Sequence, residues 1–129
     1  MPTDSRRSVG ALGEQLAERH LVRRGYSILD RNYRTRFGEL DLIAAGADCV
    51  VFCEVKTRIG KGGRGSQSPL ESIGSRKRQR LRLMARQWLG ESSARATAPG
   101  TDWLRFDAIG VTLTRAGGVT SLEHVEDAF

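Results

Sequence analysis

Within Gly38-Glu-Leu-Asp-Leu-Ile43 and Val50-Val-Phe-Cys-Glu-Val-Lys56, charged residues are interleaved with apolar ones. Strand side chains point to opposite faces in turn, so Glu39 and Asp41 share one face of their segment, and Glu54 and Lys56 share one face of theirs. Three carboxylates and a lysine are costly to desolvate, and a segment needed only as sheet would carry Val or Ile there. Carboxylates beside a lysine suit a divalent metal ion, magnesium or manganese, that activates water against a phosphodiester. Such an ion needs few protein ligands besides water and substrate oxygens, and Lys56 would add a point charge where the oxyanion develops. The bland alternative is a solvent-facing strand on which Glu54 and Lys56 are ordinary exposed charges.

These two segments read as strands, about Glu39 to Ala45 and Val50 to Thr57, joined by a hairpin at Gly46-Ala-Asp48. With Ala47 and Asp48 as a two-residue turn, Asp41 falls opposite Glu54 and Glu39 opposite Lys56; a one-residue slip leaves those pairs diagonal. Ahead of them, Val9 to Arg24 is rich in helix formers and ends before Gly25, which predicts a first helix with Gly10, Glu14, Ala17 and Leu21 on one side. Gly10 and Gly13 would let this helix approach a sheet closely. Tyr26 to Arg34 reads as the first strand, packing through Tyr26, Ile28 and Tyr33. Ser68-Pro-Leu-Glu71 combines an N-cap serine, a first-position proline and a capping-box glutamate, so the second helix is expected to start there. It should bury Leu81, Met84, Ala85, Trp88 and Leu89 and stop at Gly90. Trp103 to Leu113 reads as a fourth strand, and Val119 to Leu122 as a short fifth after a turn at Ala116-Gly-Gly118. The third and fourth strands, connected through a helix, should run parallel. The pattern is a single α/β domain over residues 1–129, a mixed central sheet flanked by helices.

The totals bound the partners. The chain has 129 residues, 39% of them hydrophobic, enough for one compact domain. Its 21 Lys and Arg against 15 Asp and Glu leave a formal charge of +6, which favours a polyanion. Ten of those cations fall between Lys56 and Arg86 against one acid, Glu71, whereas a solvated helix face normally alternates signs. Arg58, Lys61 and Arg64 in the glycine-rich stretch, with Arg76, Lys77 and Arg80 in the second helix, are the candidate nucleic-acid contacts, bringing affinity without sequence preference. No apolar run approaches the roughly 20 residues that span a bilayer, and Met1 to Gly10 lacks the apolar centre of a signal peptide, so a cytoplasmic protein with no membrane partner is expected. Cys49 and Cys53 lie about 13 Å apart on a strand, at roughly 3.3 Å per residue, and read as small buried hydrophobes. Asp107 is expected to hold a strand end or an ion pair, His20 and His124 are lone histidines without a partner pattern, and Trp88 and Trp103 are read as core.

A helix glutamate, then an aspartate on one strand, then Glu-x-Lys on the next resembles the PD-(D/E)xK nuclease superfamily and its restriction-endonuclease-like three-layer fold. Within it the chain is most similar to the YraN family of small bacterial proteins related to archaeal Holliday-junction resolvases. The likeness runs from Gly13-Glu14 through Arg31-Asn32, Gly38-Glu-Leu-Asp-Leu-Ile43 and Phe52-Cys-Glu-Val-Lys56 to Arg105-Phe-Asp107. It implies that Asp41 and Glu54 are the principal metal ligands, that Lys56 stands beside the attacking water, and that Glu14 completes the metal shell through water. It also implies phosphate contact at Lys77. The proline that usually precedes the aspartate is replaced here by Leu40, and Glu39 is expected as a supporting or exposed acid rather than a ligand.

The expectation is a magnesium- or manganese-dependent endonuclease acting on DNA, including branched or junction DNA, with RNA left open. Its rival is a non-catalytic nucleic-acid-binding adaptor in DNA repair or uptake that keeps the nuclease fold. Resolving a junction takes paired cuts, and one chain carries one set of Glu14, Asp41, Glu54 and Lys56, so that activity would need a homodimer.

Overall fold

The computed structural model describes residues 5–60, 70, 74–91 and 103–129, with the backbone alone at 5–7, 75 and 76. Helix α1 (Ser5–Arg23) is followed by strands β1 (Ser27–Thr35), β2 (Gly38–Ala45) and β3 (Cys49–Ile59), helix α2 (Ser75–Gly90), and strands β4 (Trp103–Leu113) and β5 (Val119–Val125). The strands form one sheet in the order β1-β2-β3-β4-β5. β3 and β4 pair in parallel, as expected of strands joined through a helix, and the other neighbours are antiparallel.

Each helix covers one face, which makes three layers, the α/β arrangement of a nuclease-like fold. Ala17 and Leu21 of α1 pack on Leu42, Ala44, Val51, Cys53, Ile109 and Val111. Leu81, Met84, Ala85 and Trp88 of α2 pack on Leu40, Ile43, Val50 and Phe52. The Trp88 ring meets Phe52 edge-on at 5.9 Å, and its indole N–H donates to Asp30 at 3.0 Å, so this large side chain is buried without an orphan donor. Helix α1 ends where Gly25 takes a left-handed conformation (φ 92) and the Tyr26 N–H turns back to the Leu21 carbonyl at 3.0 Å.

Gly13 sets the depth of α1. A Cβ there would lie 1.8 Å from Oγ1 of Thr57, so only glycine lets the helix seat against β3 at the level of Glu14. Gly10 does not have the same role: a Cβ there meets nothing within 4 Å.

Other departures have local causes. Helix α2 starts at Ser75, not at Ser68; Gly74 in extended conformation (φ −109, ψ 178) precedes it with no side-chain cap, while Ser68, Pro69 and Glu71 lie outside the described residues. β5 runs on to Val125 because its ladder with β4 continues to the Ala108–Val125 pair. Trp103 is 69% exposed rather than core, since it stands at the first residue of β4, paired with the first of β3 at the sheet's end. Cys53 is fully buried, with burial pushing its thiol up, while Cys49 is only half-buried.

Candidate functional site

The β2–β3 register is the one a two-residue turn dictates. Gly46 N–H bonds the Cys49 carbonyl at 2.8 Å, and the ladder runs from Ala45–Val50 to Leu42–Cys53. The next backbone bond in this register would take the Val55 N–H to the Leu40 carbonyl; Oδ2 of Asp41 accepts that N–H instead, at 2.7 Å. An aspartate side chain has replaced a rung of the ladder, and the strands part at the candidate site.

Alternation along β2 breaks at the same point. Leu40 belongs to the α2-side core and Leu42 to the α1-side core, although two residues apart on an ideal strand they would share a face. Asn32, which lies across from Asp41 between the Arg31–Leu42 and Tyr33–Leu40 pairs, has a positive φ of 49. Both strands kink together, a local irregularity that re-aims side chains.

Glu14, Glu39 and Asp41 thereby offer carboxylate oxygens that all lie within 4.8 Å of one another. With its amide nitrogen turned towards the acids, Asn32 donates to Glu39 at 2.7 Å and to Glu14 at 3.0 Å. Such an asparagine clamps two acids side by side without neutralising either. Burial and then the Glu54 charge push the Asp41 carboxyl up to about 8, with Glu14 and Glu39 adding to the effect and the Val55 N–H opposing it. Burial, then Glu39, also raises Glu14, with a hydrogen bond to Asp41 pulling the other way. A set of hard oxygen donors whose charges repel one another fits a divalent cation such as magnesium or manganese.

Glu54 and Lys56 are arranged differently. Glu54 is 4% exposed, so it is not an ordinary surface charge. Its Oε1 lies 2.6 Å from Nζ of Lys77 on α2 and 3.9 Å from Nζ of Lys56. Glu54 is outside the group of acids within 4.8 Å of one another, yet Asp41 feels its charge more strongly than that of Glu14 or Glu39. Asp41 is therefore the hinge between two halves, with Glu14, Glu39 and Asn32 on one side and Glu54, Lys56 and Lys77 on the other. Of the four residues singled out for catalysis, Glu14 and Asp41 meet directly, Glu54 and Lys56 form an adjacent pair, and Glu39 joins the acids from which the sequence reading had set it apart.

Of the candidate nucleic-acid contacts, Lys77 binds Glu54, Arg80 is exposed on α2 and Arg58 is half-buried at the end of β3. Lys61 and Arg64 lie outside the described residues, and only the backbone of Arg76 is described. Asn32 was not among the expected site residues; its signals were its place in the Arg31-Asn32 segment of the family likeness and an asparagine, a poor strand former, in the middle of a strand.

The histidines also form a pattern the sequence did not show. Asp107, fully buried, takes both Nε and Nη2 of Arg105 at 2.9 Å, the Asp127 N–H at 3.0 Å and Nε2 of His124 at 2.8 Å. Nδ1 of His124 in turn lies 2.9 Å from Nε2 of His20 on α1. The two histidines are thus partners, not lone residues, and Asp107 holds an ion pair as expected. Burial would raise the Asp107 carboxyl, but His124, Arg105 and the Asp127 N–H outweigh it and hold it below its usual value. Burial, with His124 and then Arg24 and Arg23 adding to it, lowers His20.

Fold and site together define an α/β protein with an acid cluster where two strands part at the sheet's centre. The chain matches the model of the Uncharacterised protein family UPF0102 over residues 13–111, which takes in Glu14, Asp41, Glu54, Lys56 and Asp107. It is 44% identical over 122 residues to a UPF0102 protein of Rhodococcus opacus, covering 95% of this chain and 96% of the relative. A UPF0102 protein of Pelotomaculum thermopropionicum is 43% identical over 98% of both chains, and one of Streptomyces griseus 39% identical over 94% of this chain and 95% of the relative. The protein belongs to the UPF0102 family, the one the YraN likeness indicated.

Proposed function

We propose that this protein is a magnesium- or manganese-dependent endonuclease that hydrolyses phosphodiester bonds in DNA, branched or junction DNA among them. The observation that carries the reading is the gathering of Glu14, Glu39 and Asp41 oxygens within 4.8 Å, with Asp41 taking the place of a sheet bond. A fold that needed only stability would have paired those strands with backbone and filled the space with apolar side chains.

Glu14, Asp41 and Glu39 would hold the cation, with Asn32 fixing the spacing of the two glutamates. The ion, when bound, supplies a nucleophile at neutral pH and shields the phosphate charge. Lys56 on β3 places a cation beside the developing oxyanion. Glu54 positions Lys56 and shares its charge with Lys77, so an incoming phosphate competes with Glu54 for two ammonium groups. Exposed Arg80 and half-buried Arg58 extend the positive surface without reading bases.

One observation favours the adaptor: Glu54, an expected ligand, is already engaged in an ion pair with Lys77 at 2.6 Å. A cleavage panel of supercoiled, linear, single-stranded and branched DNA and RNA, with magnesium or manganese, decides between the two. Cutting by the wild type that is lost in Lys56→Ala, with divalent-ion binding retained in that variant, supports the enzyme. Tight binding without cutting on any substrate replaces it with the adaptor. Light scattering with and without junction DNA tests the homodimer that paired cuts require.

A further inference from the structure

Glu54 is a carboxylate at 4% exposure, and a charge placed so deeply needs a partner. Two lysines stand near it, and they are not equivalent. Lys56 lies two residues along the same strand, with Nζ 3.9 Å from Oε1, a spacing governed by the backbone of β3. Lys77 reaches in from the first turn of α2 and closes to 2.6 Å. The Lys77 side chain is 29% exposed and that of Glu54 only 5%, so solvent reaches the ammonium end of this pair and not the carboxylate end.

The start of a helix is a poor place for cations, because its backbone N–H groups carry partial positive charge and favour anions. Ser75-Arg-Lys-Arg78 nevertheless holds no acid, and Gly74 ahead of it supplies no side-chain cap. Glu54 is the anion that Lys77 meets in the free protein, while exposed Arg78 and Arg80 continue the positive surface outward. A phosphate arriving from solvent therefore approaches Lys77 from its open side and can take the place of Glu54. That exchange has a consequence inside the site. Asp41 feels the Glu54 charge more strongly than that of Glu14 or Glu39. Without Lys77, Glu54 would keep Lys56 at 3.9 Å, beside acids that already repel one another. An uncompensated buried charge is costly, and a divalent ion at Asp41 offsets that cost.

We propose that Lys77 is a latch on Glu54: in the free protein it engages that carboxylate, and when a nucleic-acid phosphate takes Lys77 the Glu54 charge becomes available to the cation site, so that ion binding and nucleic-acid binding strengthen each other. The proposal rests on the metal-site reading above and adds its regulation. The coupling is reciprocal by necessity: the factor by which nucleic acid raises ion affinity is the factor by which the ion raises nucleic-acid affinity. The separation of Glu54 from the gathered acids is then the resting arrangement of a ligand, not the loss of one.

Calorimetry of calcium binding tests the latch, with calcium replacing magnesium so that DNA stays intact during the measurement. In the wild type a saturating oligonucleotide should raise calcium affinity roughly tenfold, within the usual range of coupling between sites. Lys77→Met keeps the length of the side chain and loses the ammonium. It should bind calcium several-fold more tightly than wild type when free, and the oligonucleotide should then add less than about twofold. Lys77→Arg should keep the coupling. An ion pair with a structural role alone gives the opposite sign: calcium binding in Lys77→Met would weaken or stay unchanged, and DNA affinity would fall equally with and without calcium, which overturns the latch. Glu54→Gln decides the matter if Lys77→Met does not fold, since its carboxamide has no charge to release; coupling lost there supports the latch and coupling retained overturns it. A wild type whose calcium affinity ignores DNA overturns the latch and leaves the metal site standing, and one that binds no calcium in either condition overturns both.

Discussion

Asp41 and Asp107 lie towards the same helix, α1, which reaches one through Glu14 and the other through His20, by way of His124. Around Asp107 every near partner is a donor: Arg105, His124 and the Asp127 N–H. Around Asp41 the neighbours are Glu14, Glu39 and Glu54, and the donor contact is one backbone N–H. Burial acts on both carboxyls in the same direction, yet Asp107 ends below its ordinary value and Asp41 far above. A buried acid that the fold has satisfied is a structural fastening. One left among other acids is held at a cost to stability, and the cost has a use if a cation completes it.

The largest expected effect comes from removing the charge that most needs a cation. Asp41→Asn keeps the size of the side chain and an oxygen for the Val55 N–H, so the fold should survive. Cleavage should fall at least roughly a thousandfold, the scale of losing transition-state stabilisation, and calorimetry should show divalent-ion affinity collapsing. The same substitution relieves repulsion, so the metal-free variant should melt above the wild type at pH 8.5. Unchanged magnesium or manganese binding in Asp41→Asn would remove the catalytic reading.

Asp107→Ala should do the reverse. Arg105 and His124 would lose the carboxylate that pairs them, at a cost of about 3 kcal/mol, or roughly 10 °C in Tm. Divalent-ion affinity should stay within a factor of two of wild type. A variant as stable as wild type would show that the network is not the fastening described.

Much of this arrangement was legible in the sequence because periodicity and turn chemistry report backbone. Alternating residues placed β2 to β4 closely, and the two-residue turn at Ala47-Asp48 gives the β2–β3 register as far as the Leu42–Cys53 pair, where the ladder stops short of Asp41. What alternation could not show was its own failure at Asp41 and Leu42, where an asparagine at positive φ kinks the strand pair. That kink brings Glu39 into the cluster, and only contacts between elements distant in sequence reveal it. The His20–His124 pair spans 104 residues and has no local signature at all. The family likeness implies phosphate contact at Lys77, whereas its hold on Glu54 depends on how α2 crosses the sheet. The glycines divide in the same way: both looked like close approaches, and only packing separates Gly13, pressed on Thr57, from Gly10, which faces a cavity.

The two carboxyls should also pull stability in opposite directions with pH. Asp41 is raised in the folded protein, so its contribution is full below the unfolded value, about 4, and is lost as pH climbs through about 8. Asp107 is lowered, so its contribution is present above about 4 and is lost as pH falls through the folded value. Urea unfolding of the metal-free protein from pH 4 to 9 should therefore show a decline towards alkaline pH that Asp41→Asn flattens. Magnesium should raise Tm more at pH 8.5 than at pH 6, since its ligands must first lose their protons. A magnesium effect independent of pH would separate Asp41 from the binding of the ion.

The smallest effect tests whether α1 transmits anything between the two regions. His20 is half-buried at the outer end of the Asp107 network, and its contact with His124 can be replaced in part by water. His20→Ala should cost about 1 kcal/mol, the worth of one hydrogen bond, and His20→Gln, which keeps a donor of similar reach, should recover part of it. Neither variant should alter cleavage or divalent-ion affinity, because Gly13 fixes the seat of α1 on β3 beside Glu14 independently of the helix's far end. If cleavage in His20→Ala falls further than its stability loss accounts for, and His20→Gln restores both, the two aspartate regions are mechanically coupled through the helix. The contrast between a fastening and a working site would then give way to a single system, with the Asp107 network tuning how closely Glu14 approaches Asp41.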